Sequence, residues 1–320
     1  MSNTARFTFP PISILIPTKN GGKLLNEVLA MVSLQTVDIT EILVADSASD
    51  DDTREIAAKY GAEIIEIDPK NFDHGGTRTL LCRRAKGEIL VFLTQDAIPK
   101  RRDSIEQLIK PLLENDDIAA SYGRQLPSFD ADHFAESLRT FNYPPEKKYY
   151  SIKDKEKVGL KAVFTSNSFA GYRRSALAEV GFFQDGLIFG EDTVAVGRLL
   201  LKNYTNVYAA NAPVYHSHNN SPLDDFKRYF DIGVLHTQEK WLLETYGSVS
   251  GQGRKYISHE LHTIHKKKHY SLLPELFIRI TMKYCGYKIG RYYKILPMQI
   301  VTAFSMHSNW WLKHNTSDDI

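Results

Sequence analysis

The sequence predicts an α/β fold, a mostly parallel sheet flanked by helices, followed by a helical C-terminal region. Three observations carry that expectation. Short apolar runs alternate with stretches at helical spacing through the first half of the chain. Three of those runs end in polar clusters. The alternation then stops near Gly247, where a basic and aromatic stretch begins.

In order, Ile12–Pro17 reads as a buried strand closing in Thr18-Lys19-Asn20-Gly21-Gly22, residues suited to a turn. Lys23–Leu34 places Leu24, Leu25, Val28, Leu29 and Val32 at helical spacing. Glu41–Ala45 is a second buried strand, and the polar stretch Asp46–Thr53 after it offers several helix N-caps. A helix from about Arg54 to Tyr60, a short strand Glu63–Ile67 and a buried strand Glu88–Leu93 follow. Such alternation predicts right-handed βαβ units. In open sheets of this kind ligands sit beyond the carboxyl ends of the strands. Thr18–Asn20, Asp46–Asp52 and Thr94–Asp96 therefore mark one rim as the site. Pro127–Lys161, Tyr-rich and carrying Pro144-Pro145, is expected to be an irregular excursion over that rim. Order resumes at Val163–Tyr172 and in a helix around Arg174–Val180.

Composition narrows the class. The 320 residues are 42% hydrophobic and 24% charged, with few Gly and Pro, which excludes disorder and low-complexity readings. Two cysteines, Cys82 and Cys285, exclude a disulfide scaffold and indicate a reducing compartment. No apolar run reaches the roughly 20 residues of a membrane span, and the N-terminal stretch is not that of a signal peptide. Between Gly251 and Lys294, ten Lys or Arg face two acidic residues, net +8. The rest of the chain then carries 30 basic and 36 acidic residues, net −6.

Several residues have the chemistry of a site. Asp96 follows a hydrophobic strand and can hold a hard cation there or cap the turn before Pro99; the segment alone favours neither. Asn71-Phe-Asp-His74-Gly75-Gly76-Thr77-Arg78 precedes a helical stretch, and paired glycines allow close approach of backbone to a ligand. Glu191-Asp192 can cap a helix or supply a general base. His216 and His218, two residues apart after a short strand, would face one side. Ser166-Asn167-Ser168, polar and followed by small residues, suits backbone passing close to a ligand or an ordinary strand edge. The tail interleaves Lys266-Lys267-Lys268, Arg279, Lys283, Lys288, Arg291 and Lys294 with apolar and aromatic residues. That pattern suits a helix on an anionic membrane; packing against the rest of the chain is the other reading. No nucleic-acid recognition module is visible.

Ile14-Leu-Ile-Pro17-Thr18, Ile42-Leu-Val-Ala-Asp46, Phe92-Leu-Thr-Gln-Asp96 and Phe189-Gly-Glu191-Asp192 together resemble glycosyltransferase family 2, in its order and spacing over roughly the first 220 residues. The Phe-x-His-Gly-Gly-x-Arg pattern ending at Arg78 resembles the rhamnosyltransferase branch. The resemblance implies a GT-A fold, a Rossmann-like sheet in a catalytic domain over residues 1–246, with a nucleotide-sugar half to about 125 and an acceptor half from 126. A basic appendage spans 247–320. It implies a donor site at Thr18, Asp46, Arg78, Gln95 and Asp96, with Asp46 on the base. It implies a metal, Mg²⁺ or Mn²⁺, on Asp96 and His216, with His218 as a further ligand. Thr94 stands where the family's metal motif has its first Asp. Asp192 is the implied catalytic base, and Glu191, Ser166 and Asn167 the acceptor side. The implied reaction is inverting transfer of L-rhamnose from dTDP-β-L-rhamnose to a lipid-linked glycan, at the cytoplasmic face of the inner membrane, for an O-antigen-type polysaccharide. Other donors such as a UDP-hexose, a nucleotidyltransferase and a non-catalytic sugar-nucleotide binder are the competing readings. The oligomeric state is not legible.

Overall fold

The computed structural model describes residues 9–247 and 251–315. The first half follows the expected alternation: β1 (Ile12–Thr18), α1 (Gly22–Val32), β2 (Glu41–Asp46), α2 (Thr53–Lys59), β3 (Glu63–Glu66), α3 (His74–Arg84) and β4 (Ile89–Leu93). The middle adds β5 (Ile98–Pro99), α4 (Ser104–Glu114), β6 (Ile118–Leu126), α5 (His133–Asn142), β7 (Lys148–Tyr150), α6 (Lys155–Val158), β8 (Phe169–Arg173), α7 (Arg174–Glu179), α8 (Glu191–Leu201) and β9 (Thr205–Tyr215). Helices complete the chain: α9 (Pro222–Gln238), α10 (Lys240–Tyr246), α11 (Gln252–Lys267), α12 (Leu273–Arg291), α13 (Met298–Phe304) and α14 (Ser308–Asn315).

One nine-stranded sheet runs in the order β3-β2-β1-β4-β8-β6-β9-β5, with β7 also on β9. The expected parallel order holds for β3-β2-β1-β4. Beyond β4 the sheet is mixed: β8 is antiparallel to both β4 and β6, and β6 runs parallel to β9. Alternate residues of each strand feed two cores, one per face. Ile12, Ile14 and Ile16 of β1 pack with α1 and α4, whereas Leu15, Leu43 and Phe92 pack with α3 and α8. Burial on both faces explains why these strands read as unbroken apolar runs.

One expectation is corrected. The stretch 127–161 is not irregular: Asp132 accepts a hydrogen bond from the Ala135 backbone N–H and starts α5, and β7 extends the sheet. The region after residue 246 is helical, as expected, and packs against the rest of the chain. Val301 of α13 and Trp311 of α14 are buried in the core on the α3 and α8 side. Helix α12 lies directly on α9. A Cβ on Gly286 or Gly290 would come within 2.3 or 2.0 Å of the carbonyl oxygens of Phe226 and Phe230. Only glycine permits that approach. Arg279 of α12, itself buried, bonds Asp225 of α9 at 2.9 Å and Glu275 at 2.7 Å and lies over the Phe134 ring of α5.

Candidate active site

The ends of β1 and β2 lie side by side, with Thr18 opposite Asp46 in the parallel register. Asp46, 1% exposed, accepts the Ser49 backbone N–H at 3.1 Å and the Ser49 hydroxyl, and Arg54 Nε lies 3.9 Å away. Ser49 Oγ in turn accepts the Asn20 N–H at 2.8 Å, tying the two loops together. Gln95, just past β4, accepts from the Thr18 hydroxyl at 2.7 Å and the Lys19 N–H at 2.9 Å. Thr18, Asp46 and Gln95 thus form one polar rim, as the sequence predicted. Thr94 Oγ1 beside it is buried without a hydrogen-bond partner among the described residues, a polar atom free for a ligand.

Asp96 continues from that rim. His216 Nε2 stands 3.6 Å from its Oδ1 and His218 Nε2 3.5 Å from its Oδ2. The three ligand atoms lie within 4.8 Å of one another. One carboxylate and two imidazoles are a donor set that can hold a divalent cation. The imidazoles are in the right state for it. Burial holds both His216 and His218 below the usual histidine range, so both rings are neutral at physiological pH. His216 Nδ1 donates to Gln125 Oε1 at 3.1 Å, which leaves the Nε2 lone pair facing Asp96. Arg139 fixes the same loop by donating to the His216 carbonyl at 2.7 Å.

Gln125 Nε2 donates to Ser166 Oγ at 3.0 Å, which joins the Asp96–His216–His218 cluster to the loop before β8. The next residue, Asn167, donates its backbone N–H to Asp192 Oδ2 at 3.1 Å and its side-chain amide to Glu191 Oε1 at 3.1 Å. Asp192 Oδ1 accepts the Thr193 N–H at 2.7 Å. Burial, and then the charge of Glu191, pushes the Asp192 carboxyl up to about 6. That is the range a base needs to take a proton near neutrality. Glu191 is buried too, which alone would raise it. Arg78, His74 and the Asn167 amide outweigh burial and hold it below the usual carboxylate range. Two adjacent carboxylates are thereby driven in opposite directions, Glu191 down and Asp192 up.

Arg78 lies on this side of the site. Its NH1 is 3.2 Å from Glu191 Oε1 and donates to the His74 carbonyl at 3.0 Å. His74-Gly75-Gly76 is the first turn of α3, capped by Asp73, which accepts the Gly76 N–H at 2.7 Å. Gly75 is required by the chain itself: a Cβ there would sit 1.7 Å from the Gln184 carbonyl oxygen. His307, from the turn between α13 and α14, meets His74 edge-on at 5.0 Å and stacks on Phe189 at 6.2 Å. The C-terminal region therefore walls the site beside His74 and Phe189. Sequence reasoning missed Gln125, Arg139 and His307. For Gln125 the one signal was a long polar side chain in a strand otherwise buried.

Known proteins resemble this chain at several levels. It is 36% identical to the O-antigen chain rhamnosyltransferase WbaN of Salmonella anatum over 315 residues, covering 97% of this chain and 99% of the relative. It is 37% identical to the O-antigen chain rhamnosyltransferase RfbN of Salmonella typhimurium over 317 residues, with the same coverage. A mannosyltransferase of Pyrobaculum calidifontis, solved with GDP-Man and Mn²⁺, superposes with a TM-score of 0.58 at 15% identity, covering 98% of this chain and 91% of that one. TarS of S. aureus with UDP-GlcNAc superposes with a TM-score of 0.54 at 15% identity, covering 96% and 91%. These likenesses show the GT-A fold. Residues 13–181 match the family profile of glycosyl transferase family 2, and with those relatives they place the chain in that family as a glycosyltransferase.

Proposed function

We propose that the protein moves L-rhamnose from dTDP-β-L-rhamnose, with inversion, onto a lipid-linked glycan in the synthesis of an O-antigen-type polysaccharide. The observation that carries the sugar is identity over almost the whole chain to two O-antigen chain rhamnosyltransferases. Asp46 accepts the N3–H of the thymine, and Thr18, Gln95 and the free Thr94 hydroxyl serve the nucleoside. Asp96, His216 and His218 would hold the cation, and two imidazoles would favour Mn²⁺ over Mg²⁺. Such an ion, when bound, neutralises charge on the departing nucleoside diphosphate.

Asp192 takes the proton of the acceptor hydroxyl as that oxygen bonds to the anomeric carbon and the bond to dTDP breaks. The proton stays on Asp192, and the electron pair leaves with dTDP. Glu191, fixed by Arg78 and Asn167, keeps Asp192 basic, and Ser166 and Asn167 border the acceptor. Arg78, read from sequence as a phosphate ligand, is better placed to hold Glu191, and we assign it there. No helix of the described residues is long and apolar enough to cross a membrane. The enzyme meets its lipid-linked acceptor from the cytoplasmic face. Purified protein, Mn²⁺ and radiolabelled dTDP-rhamnose incubated with lipid-linked glycan acceptors should yield an α-linked rhamnosyl product in the lipid fraction. Transfer from a UDP-hexose instead would keep the enzyme class and discard rhamnose.

A further inference from the structure

Helix α12 has one face that the fold uses and one that it leaves bare. The inner face carries Leu276, Arg279, Gly286 and Gly290, all buried against α9 and α5. The glycine contacts and the Arg279–Asp225 pair fix the rotation of the helix, so its outer face cannot turn inward. On that outer face Leu273 is 39% exposed, Phe277 72%, Tyr284 64% and Tyr292 65%. Leu273, Phe277 and Tyr284, spaced four and seven residues apart, form one stripe along a 19-residue helix, roughly 28 Å long, and Tyr292 caps its end. Ile278 lies beside the stripe, and Ile295, 79% exposed, lies just beyond its end.

Charge tells what covers it. No acidic residue occurs between Glu275 and Asp318. Arg279 and Lys283 are turned inward to Asp225, whereas Lys288, Arg291 and Lys294 make no ion pair among the described residues. Lys288 lies 5.8 Å from the centre of the Tyr284 ring, at the edge of the apolar stripe. Large apolar side chains exposed in a line mark an interaction surface. Aromatic and aliphatic anchors flanked by unpaired Lys and Arg complement an anionic bilayer surface.

We propose that the outer face of α12 docks the enzyme on anionic lipid. Phe277 and Tyr284 enter the boundary between headgroups and acyl chains, and Lys288 and Lys294 lie on lipid phosphates. The proposal rests on the lipid-linked acceptor for its purpose only; docking itself needs neither donor nor acceptor. In the Lys266–Lys268 run at the end of α11, Lys267 pairs with Glu136 of α5 at 2.6 Å.

Cosedimentation of the full chain with vesicles tests it, comparing pure phosphatidylcholine with mixtures containing phosphatidylglycerol at low and high salt. The protein should bind the anionic vesicles, lose binding as salt rises, and bind neutral vesicles at least about tenfold more weakly. Phe277→Glu with Tyr284→Glu should cut binding to anionic vesicles by at least about tenfold, with an unchanged thermal transition. Lys288→Glu with Lys294→Glu should flatten the salt dependence, and Lys266→Glu with Lys268→Glu should leave most binding intact. Wild-type protein that ignores anionic vesicles overturns the proposal, as does undiminished binding of the Phe277 and Tyr284 variant. A dimer in vesicle-free solution that this variant abolishes would overturn it too, making the face a contact between copies. Donor binding measured on the same preparations separates the readings: its absence in wild type counts against the rhamnose assignment and leaves docking untouched.

Discussion

Glu191→Gln tests the division of labour between the two carboxylates. Asp192 sits at about 6 where an ordinary aspartate sits at 3.8. At 1.36 kcal/mol per pH unit, that gap is roughly 3 kcal/mol in favour of the neutral acid. Burial is the larger cause and the Glu191 charge the second, opposed by the N–H groups of Asn167 and Thr193 and by Arg78. Glutamine keeps the shape of Glu191, and its carbonyl oxygen can still accept from Asn167 Nδ2. The neighbouring negative charge is gone, and Arg78, freed of its partner at 3.2 Å, favours ionised Asp192. Both changes lower the Asp192 pKa, to between the ordinary 3.8 and about 6. A base works only when ionised, so wild-type kcat/KM should fall as pH drops through about 6. In Glu191→Gln that limb should move to lower pH, and the plateau should drop because a weaker base transfers the proton less readily. Initial rates of rhamnosyl transfer from about pH 4 to 8 at saturating Mn²⁺ read both effects. A limb that stays in place, or moves up, refutes the assignment of Glu191 as the group that raises Asp192.

Other outcomes follow from the same geometry. Asp192→Asn should remove the acid limb and lower kcat by about 10²–10⁴-fold with donor affinity retained, measured by steady-state kinetics beside calorimetry. Asp96→Ala should abolish Mn²⁺-dependent donor binding while leaving the thermal transition in place. Gln125→Leu takes away the acceptor that orients His216, and Mn²⁺ affinity measured by titration should fall about 10–100-fold. Gly290→Ala should destabilise the protein by about 1–3 kcal/mol in chemical denaturation, because Phe230 backbone has no room to yield. UDP should bind more weakly than dTDP in competition titrations if the surroundings of Asp46 exclude a ribose 2′-hydroxyl.

The parallel half of the sheet and its rim were legible because local rules govern them. β1, β2 and β4 are buried on both faces, so they stand out as apolar runs; Thr18 and Asp46 end β1 and β2, and Asp96 lies just past the end of β4. Asp192 and the two histidines were singled out by motif, and the structure brings His216 and His218 together with Asp96. What escaped depends on contacts distant in sequence. The antiparallel entry of β8 between β4 and β6 is set by pairings that no local pattern announces. Gly75 reads as a ligand-approach residue, yet its neighbour is Gln184, and Arg78 answers Glu191, more than a hundred residues away. The tail's interleaved residues show no clear stripe until Gly286 and Gly290 set which side of α12 meets α9.

The central claim is metal-dependent recognition of a rhamnose donor by the site built on Asp46 and Asp96. Calorimetric titration of the purified chain with dTDP-rhamnose, UDP-glucose and UDP-GlcNAc, each with and without Mn²⁺, tests it most directly. The account predicts binding of dTDP-rhamnose that requires Mn²⁺ and is lost in Asp96→Ala. Binding of dTDP-rhamnose indifferent to Mn²⁺, or tighter binding of either UDP-sugar, would contradict it.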